Sequence, residues 1–421
     1  MKKTVIKLLC LALAIVFTLS TLVSCAIKVK AEDLMEGITP REVIGKSADD
    51  KFIENEIALS LSLLRAAYAT DQTDNVMLSP LSIQLALAMT ANGAEGETLS
   101  QMSALLGGDI PLPVLNEYLY SYVNGLPSSA KYKLAIANSI WFRDGRINVE
   151  RDFLQTNADY YGAAAYRSPF DKQTVRDINR WVDQNTDGMI DNILDTIPES
   201  ALMYLINAVM FDAEWQRIYE DTDIYDGYFT TEDGQRQKTE LMRSGEGRYI
   251  ETEGAVGFVK NYNGGKYAFA ALLPDEGISL SEYISSLSAE ELKAALDDVQ
   301  YRTVIAHTPK FSYEYSLVMN DVLIGLGMTD AFVGSLADFD ALGKAVSGYN
   351  IYISEVIHKT YISVDERGTR AGAVTMVGMD EATSAEPTEI ITIKLDRPFL
   401  YMIIDTSTNI PIFIGTLDSI E

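Results

Sequence analysis

Apolar side chains recur at helical spacing in several parts of the chain. The apolar positions of residues 51–70 follow one helix face, so this segment is predicted to form an amphipathic helix. Residues 83–91 are largely apolar and predict a buried helix, which Ser79 or Ser82 beside Pro80 would begin. Further helices are predicted at residues 149–161, 174–194, 280–298 and 317–326.

Other stretches show the apolar runs and alternation typical of β-strands. Residues 201–211 form a continuous apolar run, as expected of a strand that is buried on both faces. Residues 228–249 alternate as a hairpin that turns at Asp233-Gly234, and residues 256–273 repeat this character. Strands are also predicted at residues 134–142, 349–364 and 390–405. Because helices and strands intermingle without a strict βαβ repeat, we expect one α+β domain.

The stretch from residue 364 to 387 lies between two of these strands and is too long for an ordinary hairpin connection. Small residues occupy every second position of its first half, at Thr369, Ala371, Ala373 and Thr375. A strand would place these side chains on one face, where small size suits a tight fit between neighbouring strands, and Arg370 on the other face. The pattern fits a loop that can become a strand, and it fits a flexible surface loop equally well.

The N-terminal segment has the layout of an export signal. Lys2, Lys3 and Lys7 precede or flank an apolar run at residues 8–19, which is short for a membrane-spanning helix. Residues 22–25 read Leu-Val-Ser-Cys and resemble a bacterial lipoprotein box. We therefore expect a signal peptide at 1–24, lipidation of Cys25, and a tether at 25–50 before a domain at 51–421. The protein would be exported and anchored to the bacterial cell membrane or surface, with ordinary signal cleavage nearby as the alternative.

Charge and cysteine usage narrow the possible partners and the source of stability. The 421 residues include 34 basic and 60 acidic side chains, a net charge of −26, which excludes the basic footprint that nucleic acid requires. Of the 2 cysteines, Cys10 would be removed with the signal, so the mature chain could form no internal disulfide. Stability must then come from the core, and 47% hydrophobic residues are ample for one.

Motifs for catalysis, metal binding or cofactor binding are not found in the sequence. The 2 histidines, His307 and His358, lie outside any nucleophile or metal pattern, and no Walker loop or nucleophile elbow occurs. Residues 183–188 match the first half of a calcium-binding loop, but Leu194 stands where that loop needs a bidentate glutamate. A helix end followed by a turn at Gly188 is the preferred interpretation. We expect no metal, no cofactor and no enzymatic activity.

Six short segments together resemble the serpin family, in the order and near the spacing of that family. They are NVMLSPLSI at 75–83, INAVMF at 206–211 followed by Trp215, PKF at 309–311, LGMTDAF at 326–332, VIHK at 356–359 and DRPFL at 396–400. The resemblance covers the chain from about residue 51 to the C-terminus. It implies a serpin fold with three β-sheets, eight or nine helices and an exposed reactive-centre loop, formed here by the stretch around residues 364–387.

The resemblance also implies a function. Inhibitory serpins are suicide substrates of serine proteases: the protease cleaves the loop, is held as an acyl-enzyme, and is displaced when the loop inserts into the main sheet. The residues that fall on the loop hinge are Glu366, Gly368, Thr369, Ala371, Ala373 and Thr375. Counting forward from the hinge places the cleaved bond at Ala382–Thr383, and counting back from Pro398 places it one residue later. A small residue before the bond favours elastase-like proteases first and subtilisin-like proteases second.

Two polar clusters follow from the same resemblance. The shutter network comprises Ser79, Ser82, Asn207 and His358, which the family places beneath the opening sheet. Trp215 and Lys310 belong to the breach, where the loop begins to insert, and Lys310 would pair there with Glu366. We expect a monomer whose partners are serine proteases. The alternatives are a non-inhibitory serpin, which keeps the fold without insertion, and a lipid-anchored solute-binding protein.

Overall fold

The computed structural model describes residues 29–70, 75–346, 350–369 and 390–420. The signal peptide, Cys25 and the loop positions Ala371, Ala373, Thr375, Ala382 and Thr383 lie outside the described residues. Within the described ranges no helix is long and apolar enough to cross a membrane.

Nine α-helices occur in the described ranges. They are α1 (Asp50–Thr70), α2 (Pro80–Ala91), α3 (Gly96–Gly107), α4 (Leu112–Gly125), α5 (Arg151–Tyr161), α6 (Lys172–Asn185), α7 (Leu280–Ser286), α8 (Ala289–Asp297) and α9 (Asn320–Gly325).

Eighteen strands accompany these helices in the same ranges. They are β1 (Glu32–Asp33), β2 (Met77–Leu78), β3 (Tyr132–Arg143), β4 (Ile147–Val149), β5 (Ala164–Ser168), β6 (Met203–Glu214), β7 (Ile224–Thr230), β8 (Arg236–Thr252), β9 (Ala255–Asn261), β10 (Tyr267–Pro274), β11 (Gln300–Pro309), β12 (Phe311–Val318), β13 (Gly343–Ala345), β14 (Glu355–Val364), β15 (Gly368–Thr369), β16 (Ile391–Lys394), β17 (Phe399–Asp405) and β18 (Pro411–Leu417).

The strands form three sheets by hydrogen bonding. The main sheet has seven strands in the order β1-β5-β3-β6-β15-β14-β12. A nine-stranded sheet runs β16-β11-β8-β9-β10-β17-β18-β2, with β7 paired to β8, and β13 and β4 form a small ribbon. The predicted α+β class, with three sheets and eight or nine helices, is therefore confirmed.

Helix α2 lies at the centre of the core. All of its residues are buried, and it packs against β3 and β6 of the main sheet and against β18 of the nine-stranded sheet. A helix that is covered on every side needs no polar face, which explains its continuous apolar sequence. Ser79 occupies the N-cap position, but its side chain makes no capping hydrogen bond. The helix thus brings Ser79 and Ser82 under the main sheet.

Three predicted helices differ from the structure in their extent. The segment predicted as helical at 174–194 forms a helix only at Lys172–Asn185. The segment predicted as one helix at 280–298 forms two helices, because Leu287 adopts an extended conformation. The Ser288 hydroxyl then accepts the Glu291 backbone amide and caps the second helix. The helix predicted from residue 317 begins only at Asn320. Leu317 and Val318 instead pair with β14, so tertiary pairing overrides the local pattern.

Much of the segment predicted as a tether at 25–50 is part of the domain. The compact unit begins at Ala31, since β1 pairs with β5 and the Lys46 amide donates to the Glu117 carbonyl at 3.0 Å. The Arg41 guanidinium also contacts the nearly buried Asp159 carboxylate at 2.6 Å. Leu34, Met35 and Ile38 also pack against the hydrophobic core, but such a short irregular segment shows no helical or strand periodicity in the sequence. The domain boundary at residue 51 is corrected to Ala31.

Candidate functional site

The hinge enters the main sheet at β15. Gly368 lies opposite Glu214 of β6 and Thr369 opposite Ala213, while Thr369 also faces Val364 of β14. The Thr369 side chain is only 2% exposed, and its hydroxyl lies 2.5 Å from that of Tyr262. The first residues of the hinge are therefore already a strand between β6 and β14.

Gly368 is required by the close approach of β6. A Cβ at this position would lie 2.0 Å from the Ala213 carbonyl oxygen, so no other residue fits without moving the backbone. The turn before it is held by Asp365, whose carboxylate accepts the Arg367 amide at 2.8 Å and the Gly368 amide at 3.2 Å. This turn reverses the chain from β14 into the hinge.

Trp215 holds the turn against the body of the protein. Its indole Nε1 donates to the Asp365 carbonyl at 2.8 Å, and its backbone amide donates to the Arg367 carbonyl at 2.8 Å. The indole is stacked on Tyr262 with ring centroids 4.5 Å apart. Trp215 thus lies where the hinge enters the sheet, and its stacking partner contacts Thr369.

Lys310 links three elements at the same point. Its ammonium lies 2.9 Å from the Glu366 carboxylate and 3.0 Å from that of Glu240 on β8. The hydrogen bond from Lys310 lowers the pKa of Glu366 below its ordinary value. All three side chains are partly exposed, so each pair contributes under about 1 kcal/mol.

The shutter network lies further along the same strands. Asn138 of β3, Asn207 of β6 and His358 of β14 are direct cross-strand neighbours. The Asn207 amide nitrogen donates to the Ser82 carbonyl at 2.8 Å and to Asn138 Oδ1 at 2.6 Å, and it also contacts the Ser82 hydroxyl. Three strands and helix α2 are thereby joined through one side chain.

His358 is held in one tautomer by its two neighbours. Its Nε2 accepts the Ser79 backbone amide at 3.1 Å, so the ring proton belongs on Nδ1, which donates to Asn207 Oδ1 at 2.9 Å. The ring is fully buried, and burial lowers the pKa of His358 to about 3. The neutral imidazole therefore closes the sheet at neutral pH.

The main sheet is open at one end and closed at the other. Residues Tyr204 to Ala208 of β6 pair directly with Glu355 to Lys359 of β14, and this pairing includes Asn207 and His358. β15 separates the same two strands only at Ala213 and Glu214. A segment that followed the hinge into the sheet would have to part the closed pair. The shutter network lies across that path.

The whole arrangement has known relatives. A family model described as Serpin (serine protease inhibitor) matches residues 54–419. The chain belongs to the serpin family. It is 29% identical over 353 residues to an uncharacterized serpin-like protein of Thermococcus kodakarensis, covering 82% of this chain and 80% of that protein. It is 28% identical over 380 residues to the leukocyte elastase inhibitor of Sus scrofa, covering 86% and 97%.

A solved serpin structure supports the same assignment. The native state of the thermophilic serpin tengpin superposes with a TM-score of 0.89 at 50% identity, covering 93% of this chain and 100% of that one. Serpins are generally inhibitors of serine proteases rather than catalysts, although some members do not inhibit. Within the described ranges no group of three or more His, Cys, Asp or Glu side chains could hold a metal ion.

The structure brings together the shutter residues and the breach residues named from the sequence, together with Glu366, Gly368 and Thr369. Their part in loop insertion stays a prediction. Three contributors were missed: Asn138, Tyr262 and Glu240. Asn138 carried a weak signal, because it is an amide within the largely apolar strand predicted at 134–142. Tyr262 and Glu240 carried none, since only the tertiary structure pairs Tyr262 with Trp215 and brings Glu240 of β8 to Lys310.

Proposed function

We propose that this serpin is an inhibitor of serine proteases that acts once, as a suicide substrate. The observation that carries the proposal is the position of Thr369, which is buried between β6 and β14 at the open end of a sheet that closes at His358. A small residue at the start of a nascent strand is what insertion requires. A charged or bulky residue there would oppose it.

The observed register supports insertion of the small-residue face. Thr369 lies opposite Ala213 of β6 and Val364 of β14. Both pairings are antiparallel, so six further residues would bring Thr375 opposite Asn207 on one side and His358 on the other. Cross-strand neighbours share a face, and Ala371, Ala373 and Thr375 would then share the buried face of Thr369.

Cleavage is proposed at Ala382–Thr383. The protease serine would attack the Ala382 carbonyl, release the Thr383 amine and form an ester with the inhibitor. Small residues on both sides of the bond favour elastase-like proteases first and subtilisin-like proteases second. The relative from Sus scrofa is named an elastase inhibitor, which supports this order.

The test is incubation of the mature protein with an elastase, followed by denaturing electrophoresis and mass spectrometry. We expect a denaturation-resistant 1:1 complex and a released C-terminal peptide that begins at Thr383. Cleavage without any complex, by elastase and by subtilisin alike, would show a non-inhibitory serpin. A peptide that begins at Ser384 would move the cleaved bond by one residue.

We also propose that the protein is exported and held at the bacterial membrane through a lipid on Cys25. The support is the sequence of residues 22–25 after an apolar run of signal-peptide length. Expression in a bacterium fed labelled palmitate should give a labelled membrane-associated protein. Cys25→Ala should abolish the label and release the protein from the membrane fraction. Equal labelling of the two proteins would contradict the anchor.

A further inference from the structure

A basic groove lies on the nine-stranded sheet between the two ends of the reactive loop. Two adjoining depressions of about 290 and 110 Å³ share Arg217 and Gly245 as lining residues. On one side the Tyr219 amide donates to the carbonyl of the hinge residue Glu366 at 3.0 Å. On the other side Ile305 pairs with Gly245 and also with Thr392, where the chain returns from the loop. The groove therefore lies between the described residues at which the chain enters the loop and those at which it returns.

The charge of the groove is opposite to that of the protein. Arg217, Arg243 and Arg248 line it, in a chain with a net charge of −26. None of these arginines forms an ion pair with a carboxylate in the part of the chain that the structure describes. Arg248 is half-buried, and its guanidinium donates to the Asn261 amide oxygen at 3.0 Å. Burial lowers the pKa of Arg248, in keeping with a cation that lacks an anionic partner.

The acidic side chains of the groove are already engaged. Glu246 accepts from the buried Lys260 ammonium at 2.9 Å, which neutralises that lysine. Asp223 accepts the Glu220 backbone amide at 3.0 Å and so caps a short helical turn. Among the described residues, the three arginines therefore have no carboxylate partner in the groove and can attract an anion.

The floor of the groove is an open strand edge. On one side, residues 243–246 and Arg248 of β8 pair with β11, and a bulge in the pairing lies at Gly247. On the other side, β7 pairs with β8 only up to Met242, and β9 pairs with it only from Tyr249 onward. Gly245 and Gly247 lie within this stretch, and a Cβ on either would meet no atom within 4 Å. Packing inside the domain does not require these glycines. Glycine in a strand often marks a place where another chain approaches closely.

We propose that this groove is a second docking surface for the target protease, and that it takes an extended, carboxylate-bearing segment from the rim of the protease's active-site cleft. The strand edge would bind the backbone of that segment, and the arginines would bind its carboxylates. Tyr301, which is 86% exposed at the rim, adds an aromatic contact of the kind enriched in protein interfaces. The proposal rests on the inhibitory function proposed above.

The test measures the second-order rate constant of complex formation with the elastase or subtilisin that gives the covalent complex. In 50 mM NaCl, Arg217→Glu should lower this rate constant about tenfold, and the loss should shrink in 300 mM NaCl, since steering by charge is screened by salt. Gly245→Val should lower it at both salt concentrations by filling the floor. Valine suits a strand and meets open space here, so the fold should keep its stability.

The control is Arg146→Glu, which makes the same change in charge on an exposed residue just before β4. Equal rate constants for the parent and Arg217→Glu, or equal losses for Arg217→Glu and Arg146→Glu, would overturn the proposal. A faster rate for Arg217→Glu would also overturn it, because the groove would then hold the acidic part of the chain's own loop.

A second measurement separates this proposal from the inhibitory function. If no covalent complex forms with either protease, the inhibitory function fails, and the groove is then judged with fluorescein-labelled hexaglutamate. Binding that weakens at least tenfold in Arg217→Glu and Gly245→Val, but not in Arg146→Glu, keeps the groove as a site for acidic segments. Equal binding of the peptide to all three variants would overturn the groove as a site for acidic segments. Dextran sulfate that binds the parent more tightly than the peptide, and displaces it, would also overturn it.

Discussion

At the scale of single residues, burial of His358 makes the stability of the closed sheet depend on pH. The pKa in the folded protein is about 3, below the ordinary value of 6.5. The unfolded chain therefore binds the proton more tightly, so the stability from His358 is complete above pH 6.5 and is lost as pH falls toward 3. At pH 4.5 the loss would be about 2–3 kcal/mol, since each pH unit in this window costs about 1.4 kcal/mol.

Comparison of the parent with His358→Gln isolates this effect. At pH 7.5 we expect the variant to be less stable by about 1–3 kcal/mol, because hydrogen bonds to Ser79 and Asn207 are lost. The difference in thermal midpoint between the two proteins, measured at one scan rate, should narrow as pH falls from 6.5 to 4.5, because only the parent loses stability through His358. Titrating groups that both proteins share cancel in this comparison. A difference in thermal midpoint that does not change with pH would contradict the attribution of this pH dependence to His358.

At the scale of elements, the two residues of β15 are expected to govern how readily the loop enters the sheet. Gly368→Ala would place a Cβ against the Ala213 carbonyl and expel β15 from the gap between β6 and β14. Loss of its few ladder hydrogen bonds costs about 1 kcal/mol each and slows insertion. The number of inhibitor molecules consumed per protease molecule should then rise several-fold, because slow insertion lets the acyl-enzyme hydrolyse.

The matched control is Gly125→Ala at the end of α4, where an added Cβ meets no atom within 4 Å. This control should leave the consumption ratio unchanged. Amide hydrogen exchange at Thr369 should accelerate in Gly368→Ala and not in Gly125→Ala. Parent-like exchange and consumption in Gly368→Ala would show that β15 does not limit insertion.

At the scale of the whole molecule, insertion would lengthen β15, now two residues, into a full strand of the seven-stranded main sheet. About ten new ladder hydrogen bonds at about 1 kcal/mol each should raise the thermal midpoint of loop-cleaved protein by roughly 20 °C. Thr375→Arg would place a charge between Asn207 and His358 and should abolish most of this gain. Val374→Arg, one position along and on the outer face, should keep it. Equal gains in the two variants would contradict the register.

The sequence by itself determined the family and the α+β class, and it named four side chains that the structure brings together at the closed end of the sheet, although it missed Asn138. These rest on local patterns: helical and strand periodicity, and six motifs that keep their order along the chain. The buried helix α2 was predicted because a fully covered helix is apolar on every side. The alternation from Thr369 to Thr375 was visible as well, although it fitted both a loop and a strand.

Only the tertiary structure decided how far the hinge has entered the sheet and where the domain begins. Both depend on pairing between distant strands, which local periodicity does not encode: Thr369 with Ala213 and Val364, and β1 with β5. The same holds for the basic groove. Arg217 and Arg243 line the same depression as Gly245 only after β8 and the turn that follows β6 come together. The sequence marked this stretch as a loop able to become a strand. In the folded protein it begins with the strand β15.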